Sequence, residues 1–221
     1  MKLVRNLLLA GVLLTVAAGQ AFAQAEFSPE MSFTLSDTKV SANPSLEIHV
    51  EQEDNEEEMD AVTLTIPKGF TLPADEAIDG GTQIGSGTIN LHVGPGCHPS
   101  NPTGQGDVGV DIPATLEEVD RTDEQVDEGV VAVWLLEIAH LDIPLEVTGS
   151  TTAGWAILGN IPTSDPSCPP LVLDLTIVDK VGDVPILVNP KKAGKKMFSA
   201  TFTSQNSPAT ATVTQIITIT K

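Results

Sequence analysis

Apolar and polar residues alternate along most of this chain, and no other feature constrains its fold as strongly. Segments 45–51, 61–66, 88–93 and 171–178 each place leucine, isoleucine or valine at every second position. A period of two with one apolar face is what a half-buried antiparallel strand requires. Proline, glycine, asparagine or aspartate interrupts the pattern every 8–14 residues. This rhythm predicts an all-β fold, built as two packed sheets or as one closed sheet.

Further strands are predicted in the second half of the chain. Residues 130–138 (VVAVWLLEI) are apolar nearly throughout. Their β-branched residues favour a central strand buried on both faces, although periodicity alone does not separate such a strand from a short buried helix. Segments 197–203 and 209–220 alternate again, and Trp155 belongs to another predicted strand.

Two stretches rich in proline and glycine, residues 94–106 and 159–170, are predicted to be long loops. Residues 116–128 are acidic and weakly amphipathic, which fits either a partly helical segment or a charged loop. A domain boundary near 94–106 is one alternative, but neither side of it makes a complete sandwich. Residues 24–221 are therefore predicted to form a single domain.

The first 23 residues have the features of a secretory signal peptide. Lys2 and Arg5 precede an apolar run, and Ala21-Phe22-Ala23 forms an A-x-A cleavage site. The apolar run is too short for a permanent membrane span. We therefore expect cleavage after Ala23, a mature chain without a membrane span, and a secreted or periplasmic protein.

The chain is strongly acidic, with 11 Lys and Arg against 30 Asp and Glu and a net charge of −19. Removal of Lys2 and Arg5 with the leader leaves nine bases against 30 acids, a net charge of −21. This charge keeps a protein dispersed. It argues against nucleic acid as a partner, because phosphate binding needs a basic surface.

The few bases are unevenly distributed. Residues 184–221 hold five lysines and no acid, and four of these lysines lie in the cluster from Lys191 to Lys196. The cluster has two interpretations. It is either a solvated turn or a surface that docks onto the acidic body of the same or another molecule.

The two cysteines, Cys97 and Cys168, lie in the two predicted loops. In an oxidising compartment, two cysteines most simply form one disulfide bond. This bond would join the two loops. The alternative is a metal site that uses Cys97 and His98, but adjacent ligands without a second pair are a weak signal.

The acidic run between two predicted strands is a candidate metal site. Clustered carboxylates supply the oxygen ligands that Ca²⁺ prefers, although the spaced ligands of an EF-hand are missing. The other interpretation is a solvated hairpin connection that discourages edge aggregation. The acidic run 117–128 has the same two interpretations, and no other cofactor is indicated. The candidate ligands of the first run are Glu51, Glu53, Asp54, Glu56, Glu57, Glu58 and Asp60.

The sequence carries no catalytic signature, and we predict that the protein is not an enzyme. Its four histidines have no metal-protease spacing, and neither a nucleophile elbow nor a phosphate-binding loop occurs. The number of acids leaves a carboxylate-using hydrolase as the least favoured alternative. Both tryptophans lie in apolar segments, which favours a role in the core over a sugar platform.

Several short motifs occur in a fixed order across residues 33–220. They are Ala42-Asn43-Pro44, Pro67-Lys68-Gly69-Phe70, Gln83-Ile84-Gly85, Asn189-Pro190 with Gly194, and Thr201-Phe202-Thr203-Ser204. In this order they resemble a family of uncharacterised exported bacterial repeat domains. The resemblance implies an Ig-like antiparallel β-sandwich, here of about ten strands, at the cell surface or secreted. It supplies no catalytic residues.

Two positions depart from the pattern of that family. Lys68 replaces the second of two prolines, and Ala193 stands where a cysteine is common. The local disulfide bond of the family therefore does not carry over to this chain.

These features together predict an exported, non-enzymatic structural or adhesion-type module whose partner is an unidentified surface protein or glycan. Its interaction surfaces would be the acidic segments 51–60 and 117–128, the threonine-rich strands near 199–220 and the basic turn 191–196. A Ca²⁺-dependent carbohydrate- or protein-binding module is the first alternative, and the hydrolase is the second.

Overall fold

The computed structural model describes residues 27–53, 56–73, 77–93, 108–139, 141–161, 168–205 and 207–221. The predicted signal peptide and the predicted loop 94–106 lie outside these residues. Within them, thirteen strands and one short helix follow one another along the chain. In order they are β1 (Glu30–Leu35), β2 (Leu46–Gln52), β3 (Met59–Ile66), β4 (Thr82–Val93), β5 (Val108–Val119), α1 (Asp123–Asp127), β6 (Val130–Ile138), β7 (Leu141–Ser150), β8 (Gly154–Asn160), β9 (Cys168–Ile177), β10 (Lys180–Val181), β11 (Val184–Pro185), β12 (Gly194–Ser204) and β13 (Thr210–Ile219).

Eleven of these strands form a single antiparallel sheet. From one edge to the other, the order is β1-β2-β9-β4-β5-β6-β7-β8-β3-β12-β13, and β10 pairs with β11 in a separate hairpin. Strands β4 to β8 follow one another as neighbours, whereas β9 lies between β2 and β4, and β3 lies between β8 and β12. The predicted all-β class is confirmed, with thirteen strands rather than about ten. The Ig-like arrangement stays a prediction.

The sheet curls until its first and last strands face each other. The side-chain amide of Gln215 in β13 accepts a hydrogen bond from the backbone N–H of Phe33 in β1 (2.6 Å) and donates one to the Phe33 carbonyl (2.9 Å). Beyond β1, the backbone N–H of Val40 donates to Thr220, and the N–H of Thr220 donates to Thr38, in a parallel bridge. We call this contact the β1–β13 seam. The side chain of Gln215 and the short bridge hold the seam together, instead of a regular ladder of backbone hydrogen bonds.

The inward side chains of the curled sheet form one core. Phe198 lies 5.4 Å from Phe33 and 5.2 Å from Phe70, measured between ring centroids. The indole N–H of Trp155 donates to the Phe70 carbonyl (2.9 Å), which satisfies its polar atom inside the core. Trp134, in the middle of β6, is 1% exposed. The prediction that both tryptophans are core residues is confirmed.

The strongly alternating segments form the strands that they predict. Segments 45–51, 61–66 and 171–178 correspond to β2, β3 and β9, and 130–138 coincides with β6. In β6, Ala132, Trp134, Leu136 and Ile138 are buried in the core, whereas on the opposite face Val133 is buried and the other side chains are half-buried. The predicted central strand is confirmed, but its predicted burial holds fully on one face only. The strands on the two sides of residues 94–107, β4 and β5, pair with each other and contribute to the same core.

The predicted loop 159–170 is wrong at both ends. Strand β8 continues to Asn160, and β9 begins at Cys168. The loop was predicted from the proline and glycine content of the segment. Prolines are tolerated at the first residues of a strand, so this composition did not exclude the two strand ends.

The acidic segment 116–128 is strand at its start and helix only in part. Leu116 and Glu118, 0% and 1% exposed, continue the inward positions of β5. Helix α1 then occupies Asp123–Asp127, where Thr122 and Gln125 form a capping box. Among the described residues, no helix combines the length and the apolar character needed to cross a membrane.

Candidate functional site

The acidic run between β2 and β3 crosses the end of the sheet. Because β2 and β3 are not neighbours, the predicted hairpin connection is wrong. The carboxylate of Glu57 accepts hydrogen bonds from Ser204 (2.5 Å) and from Ser207, beside the β12–β13 turn. The carboxylate of Glu56 accepts one from Ser28, just before β1 (2.6 Å). The run therefore ties together the ends of three other strands.

The other predicted metal ligands of this run point to different surroundings. Glu51 faces outward on β2, with its Oε2 3.6 Å from Nε2 of His49. Burial raises the pKa of Glu58, whereas Glu53 is exposed and Asp60 is half-buried. Asp54 lies outside the described residues. Within the part of the chain that the structure describes, no three His, Cys, Asp or Glu side chains are arranged to hold a metal ion.

The second acidic run joins α1 to the strands beneath it. Arg121 donates from Nη1 to the backbone carbonyl of Val130 (2.8 Å), and Gln125 donates to the Glu146 carboxylate on β7 (3.0 Å). These contacts position the segment on the sheet. They give its described residues a structural role.

The predicted disulfide bond falls partly outside the described residues. Cys168 opens β9 with its backbone opposite His92 of β4. Cys97, five positions after His92 in the sequence, is not among the described residues. The bond therefore stays a prediction. The same holds for the metal site of Cys97 and His98.

The outward face of β1, β2 and β9 has a shallow hollow of about 150 Å³. His49 lies in its wall, with Nδ1 2.7 Å from Oδ1 of Asp174. This hydrogen bond is the main cause of a raised pKa of His49, and nearby Glu51 adds to it, while burial opposes it. The two side chains are 41% and 63% exposed, so water screens their interaction. Their hydrogen bond is a contact between the outward faces of β2 and β9.

Threonine side chains cover the outward face of β3, β12 and β13. The register aligns them in rows about 6.8 Å apart along the strands, with neighbours about 4.8 Å apart across them. In the middle row, the hydroxyls of Thr201 and Thr212 are hydrogen-bonded at 3.1 Å. We call these nine positions the threonine face: Thr65, Ser199 and Thr214; Thr63, Thr201 and Thr212; Ala61, Thr203 and Thr210.

Two large apolar side chains extend the threonine face. Met197 and Ile216 are direct partners across β12 and β13 and are 59% and 60% exposed. A single exposed apolar residue needs no explanation, but adjoining ones create a surface that gains free energy when it is covered. The face therefore presents hydroxyls, methyl groups and an apolar pair on one side of the molecule.

The sequence indicated part of this surface. It predicted threonine-rich strands near 199–220 but did not place β3 beside them. Thr63 and Thr201 are distant in the chain, and only the pairing of β3 with β12 brings them together. The contact of His49 with Asp174 was missed for the same reason, although each residue lies on the polar side of an alternating segment.

A search against models of known protein families found no match to this chain, and a search of curated proteins found no relative of it.

Proposed function

We propose that the protein is an exported, non-enzymatic structural or adhesion-type module that binds an extended partner through its threonine face. The observation that carries this proposal is the alignment of the nine threonine-face positions in three rows across β3, β12 and β13. Its exported setting rests on the leader sequence. The Ig-like sandwich architecture is part of the proposal and rests on the order of the sequence motifs.

The threonine face suits adhesion because it is rigid before a partner arrives. Threonine is β-branched, so its side chain has few rotamers to lose on binding. Less lost freedom means that more of the contact energy appears as affinity. An extended chain that lies along the strands meets a hydroxyl and a methyl group at seven of the nine positions of the face, with a serine and an alanine at the other two.

The chemistry of the face favours a protein over a glycan as the partner. None of its nine positions is aromatic, and Met197 and Ile216 add apolar surface beside them. Aromatic rings supply much of the contact energy at interfaces that use them. Threonine hydroxyls and exposed apolar side chains instead match the mixed polar and apolar surface of another polypeptide.

The test is binding of the labelled mature protein to whole bacterial cells. Thr201→Arg places a long charged side chain at the centre of the face, and we expect it to lower binding at least tenfold. Thr88→Arg makes the same change on β4, outside the face, and should bind like the wild type. Thermal unfolding of both variants verifies that the fold is retained.

Treatment of the cells identifies the class of partner. Loss of binding after protease treatment supports a surface protein, whereas loss after periodate oxidation places a glycan there instead. Equal binding by the two variants, or no binding by the wild type, would overturn the proposal. Release of soluble fragments from the cells would favour the hydrolase.

A further inference from the structure

Seven of the nine bases that follow the predicted leader lie at one end of the strands β1, β3, β12 and β13. The members of this basic pole are Lys39, Lys68, Lys191, Lys192, Lys195, Lys196 and Lys221. Six of them are exposed, and Lys196 is half-buried.

Short contacts hold the segments of the basic pole together. Nζ of Lys196 donates to the backbone carbonyl of Lys68 (2.9 Å). The buried amide of Asn189 donates to the carbonyls of Asp37 and Lys39, both at 2.9 Å, and so fixes the turn that begins at Pro190 against the end of β1. Lys39 also bridges to Thr220, next to Lys221. The pole is therefore one surface although its lysines come from four parts of the chain.

Little of the positive charge of this pole is neutralised locally. Asp37 lies beside the pole, and its Oδ1 accepts a hydrogen bond from the backbone N–H of Lys39 (2.8 Å). Among the described residues, none of the ammonium groups of the seven lysines lies within 4 Å of a carboxylate. Lys191, Lys192 and Lys195 are exposed on the turn and at the start of β12. A concentrated basic surface on a chain of net charge −19 is a site for an acidic partner.

The opposite end of the same strands carries the matching charge. The acidic pole consists of Glu30, Glu51, Glu53, Glu56, Glu57, Glu58 and Asp60. Its members are joined by the pairing of Glu30 with Glu51 across β1 and β2, and by the contacts of Glu56 and Glu57 with serines at neighbouring strand ends. None of the described lysines or arginines belongs to this end of the strands.

The two poles of one molecule cannot meet. Strand β12 runs from the basic pole to the acidic pole over 11 residues, or roughly 34 Å. This separation is several times the Debye length of about 8 Å at physiological salt, so each pole acts on its surroundings independently. The seven carboxylates of the acidic pole therefore cannot neutralise the basic pole of the same molecule.

We infer that the basic pole of one copy docks against the acidic pole of a second copy, head to tail along the strand direction. Seven lysines then face seven carboxylates. Dissolved salt screens the repulsion between the other acidic residues of the two copies. Because the two surfaces differ, the contact is heterologous and leaves a free pole at each end of the pair. Further copies can add, and the expected product is an open chain of molecules.

This inference does not depend on the threonine face. Loss of cell binding in Thr201→Arg and loss of self-association are separate results, because Thr201 lies in the middle of β12, between the poles. Either proposal can fail while the other stands.

The first test is zero-length carbodiimide crosslinking, which joins a lysine to a carboxylate in direct contact. An equal mixture of ¹⁴N- and ¹⁵N-labelled mature protein separates links between copies from links within one copy by mass. We expect mixed-isotope links from Lys191, Lys192 or Lys195 to Glu30, Glu51 or Glu53. Sedimentation velocity at millimolar protein should show association that 0.5 M NaCl abolishes.

Charge reversal at each pole provides the second test. Lys191→Glu with Lys192→Glu, and separately Glu30→Lys with Glu53→Lys, should each associate much more weakly than the wild type, since each variant lowers the charge of one pole from seven to three in magnitude. An equal mixture of the two variants should associate again. Asp127→Lys with Glu128→Lys, an exposed pair at α1, makes the same change in net charge as the glutamate variant, and it should associate more like the wild type than that variant does.

Three outcomes would overturn the inference. They are a monomeric wild type at millimolar concentration, a mixture of the two pole variants that stays monomeric, and crosslinks confined to single copies. Retention on anionic lipid vesicles without links between copies would assign the basic pole to a polyanion instead of a second copy.

Discussion

Gly87 shows how a single residue sets the closeness of two strands. It lies on β4 opposite Leu175 of β9, and a Cβ at this position would collide with the backbone carbonyl oxygen of Asp174. A backbone atom in a ladder moves only if the strands separate. Glycine is therefore required here by space rather than by its backbone angles.

We predict that Gly87→Ala destabilises the protein by about 1–3 kcal/mol, the usual cost of overpacking a filled site. Urea unfolding followed by circular dichroism measures the change in the free energy of unfolding. Ser86→Ala, the adjacent exposed position on β4, is the matched control and should change it by less than about 0.5 kcal/mol. Equal effects of the two substitutions would show that β4 and β9 have room to separate.

His49 links pH to stability. Its hydrogen bond to Asp174 raises its pKa above the ordinary value of 6.5. A raised folded-state pKa means that the folded state binds protons more tightly than the unfolded state, so the stabilisation is complete below pH 6.5 and is lost as the pH rises through the higher, folded value.

We therefore predict that the wild type loses stability as the pH rises above about 6.5 and that His49→Gln removes part of this slope. Thermal unfolding at closely spaced pH values tests both statements. Asp174→Asn should have the same effect, because it removes the main cause of the raised pKa of His49. A slope that is unchanged in both variants would assign the pH dependence to other groups.

At the scale of elements, alternation in the sequence was enough to find most strands. β2, β3 and β9 follow from single segments whose leucine and isoleucine residues all face one way. The end of β5 did not, since its inward positions include Glu118, an acid that is 1% exposed. A pattern of polar and apolar residues carries no information about an inward-facing charge. The acidic composition of residues 116–128 did not decide between helix and loop. The capping box formed by Thr122 and Gln125 is a clearer signal for the start of α1.

The pairing of strands was less predictable than the strands themselves. Gln215 lies at an inward position of β13 and has nothing in its local sequence that indicates a partner. Its double hydrogen bond to Phe33, 182 positions away, replaces two ladder bonds that β1 and β13 do not form. Such a contact follows only from the complete sheet.

We predict that Gln215→Ala lowers the free energy of unfolding by about 1–3 kcal/mol, because the N–H and C=O groups of Phe33 lose their partner. Gln215→Glu keeps an acceptor for the N–H but loses the donor, and it should destabilise the protein as well. Thr214→Ala, on the outward side of β13, is the control. Urea unfolding of the three variants decides whether the seam contributes to stability.

At the scale of the molecule, the candidate metal site shows that a cluster of acidic residues in the sequence does not predict where their side chains lie in the fold. The carboxylates of the first acidic run are close in sequence, yet Glu56 and Glu57 turn to serines on different strand ends. Because these carboxylates are close in sequence, they were predicted to converge on one metal ion. The connection from β2 to β3 instead crosses the end of the sheet and spreads their side chains over it. The threonine face shows the reverse, because it assembles residues that the sequence keeps apart.

We predict that 1 mM CaCl₂ leaves the melting temperature unchanged within about 1 °C, since serine hydroxyls already occupy Glu56 and Glu57. A site with a Kd of about 0.1 mM would add about 1.4 kcal/mol, or about 3–5 °C for a chain of this size. Differential scanning fluorimetry with calcium and with EDTA distinguishes the two results. A shift of several degrees would favour the Ca²⁺-dependent module.

We also predict that purified, unreduced protein has no titratable thiol, as expected from the predicted disulfide bond between Cys97 and Cys168. The start of β9 lies opposite His92, close in sequence to Cys97, which is consistent with this bond. A closed loop of about 70 residues contributes about 4 kcal/mol in the chain-entropy model, so reduction should lower the melting temperature markedly. Two titratable thiols without reductant would contradict the prediction.

The β1–β13 seam also determines how the molecule would respond to stretching. Phe27 lies before β1 at the acidic pole, and Lys221 follows β13 at the basic pole, while the bridge at Thr220 shows that the two strands run parallel. Tension applied at these two residues pulls β1 and β13 lengthwise in opposite directions. The hydrogen bonds of the seam and of the adjoining ladders are then loaded in shear, all at once rather than one after another.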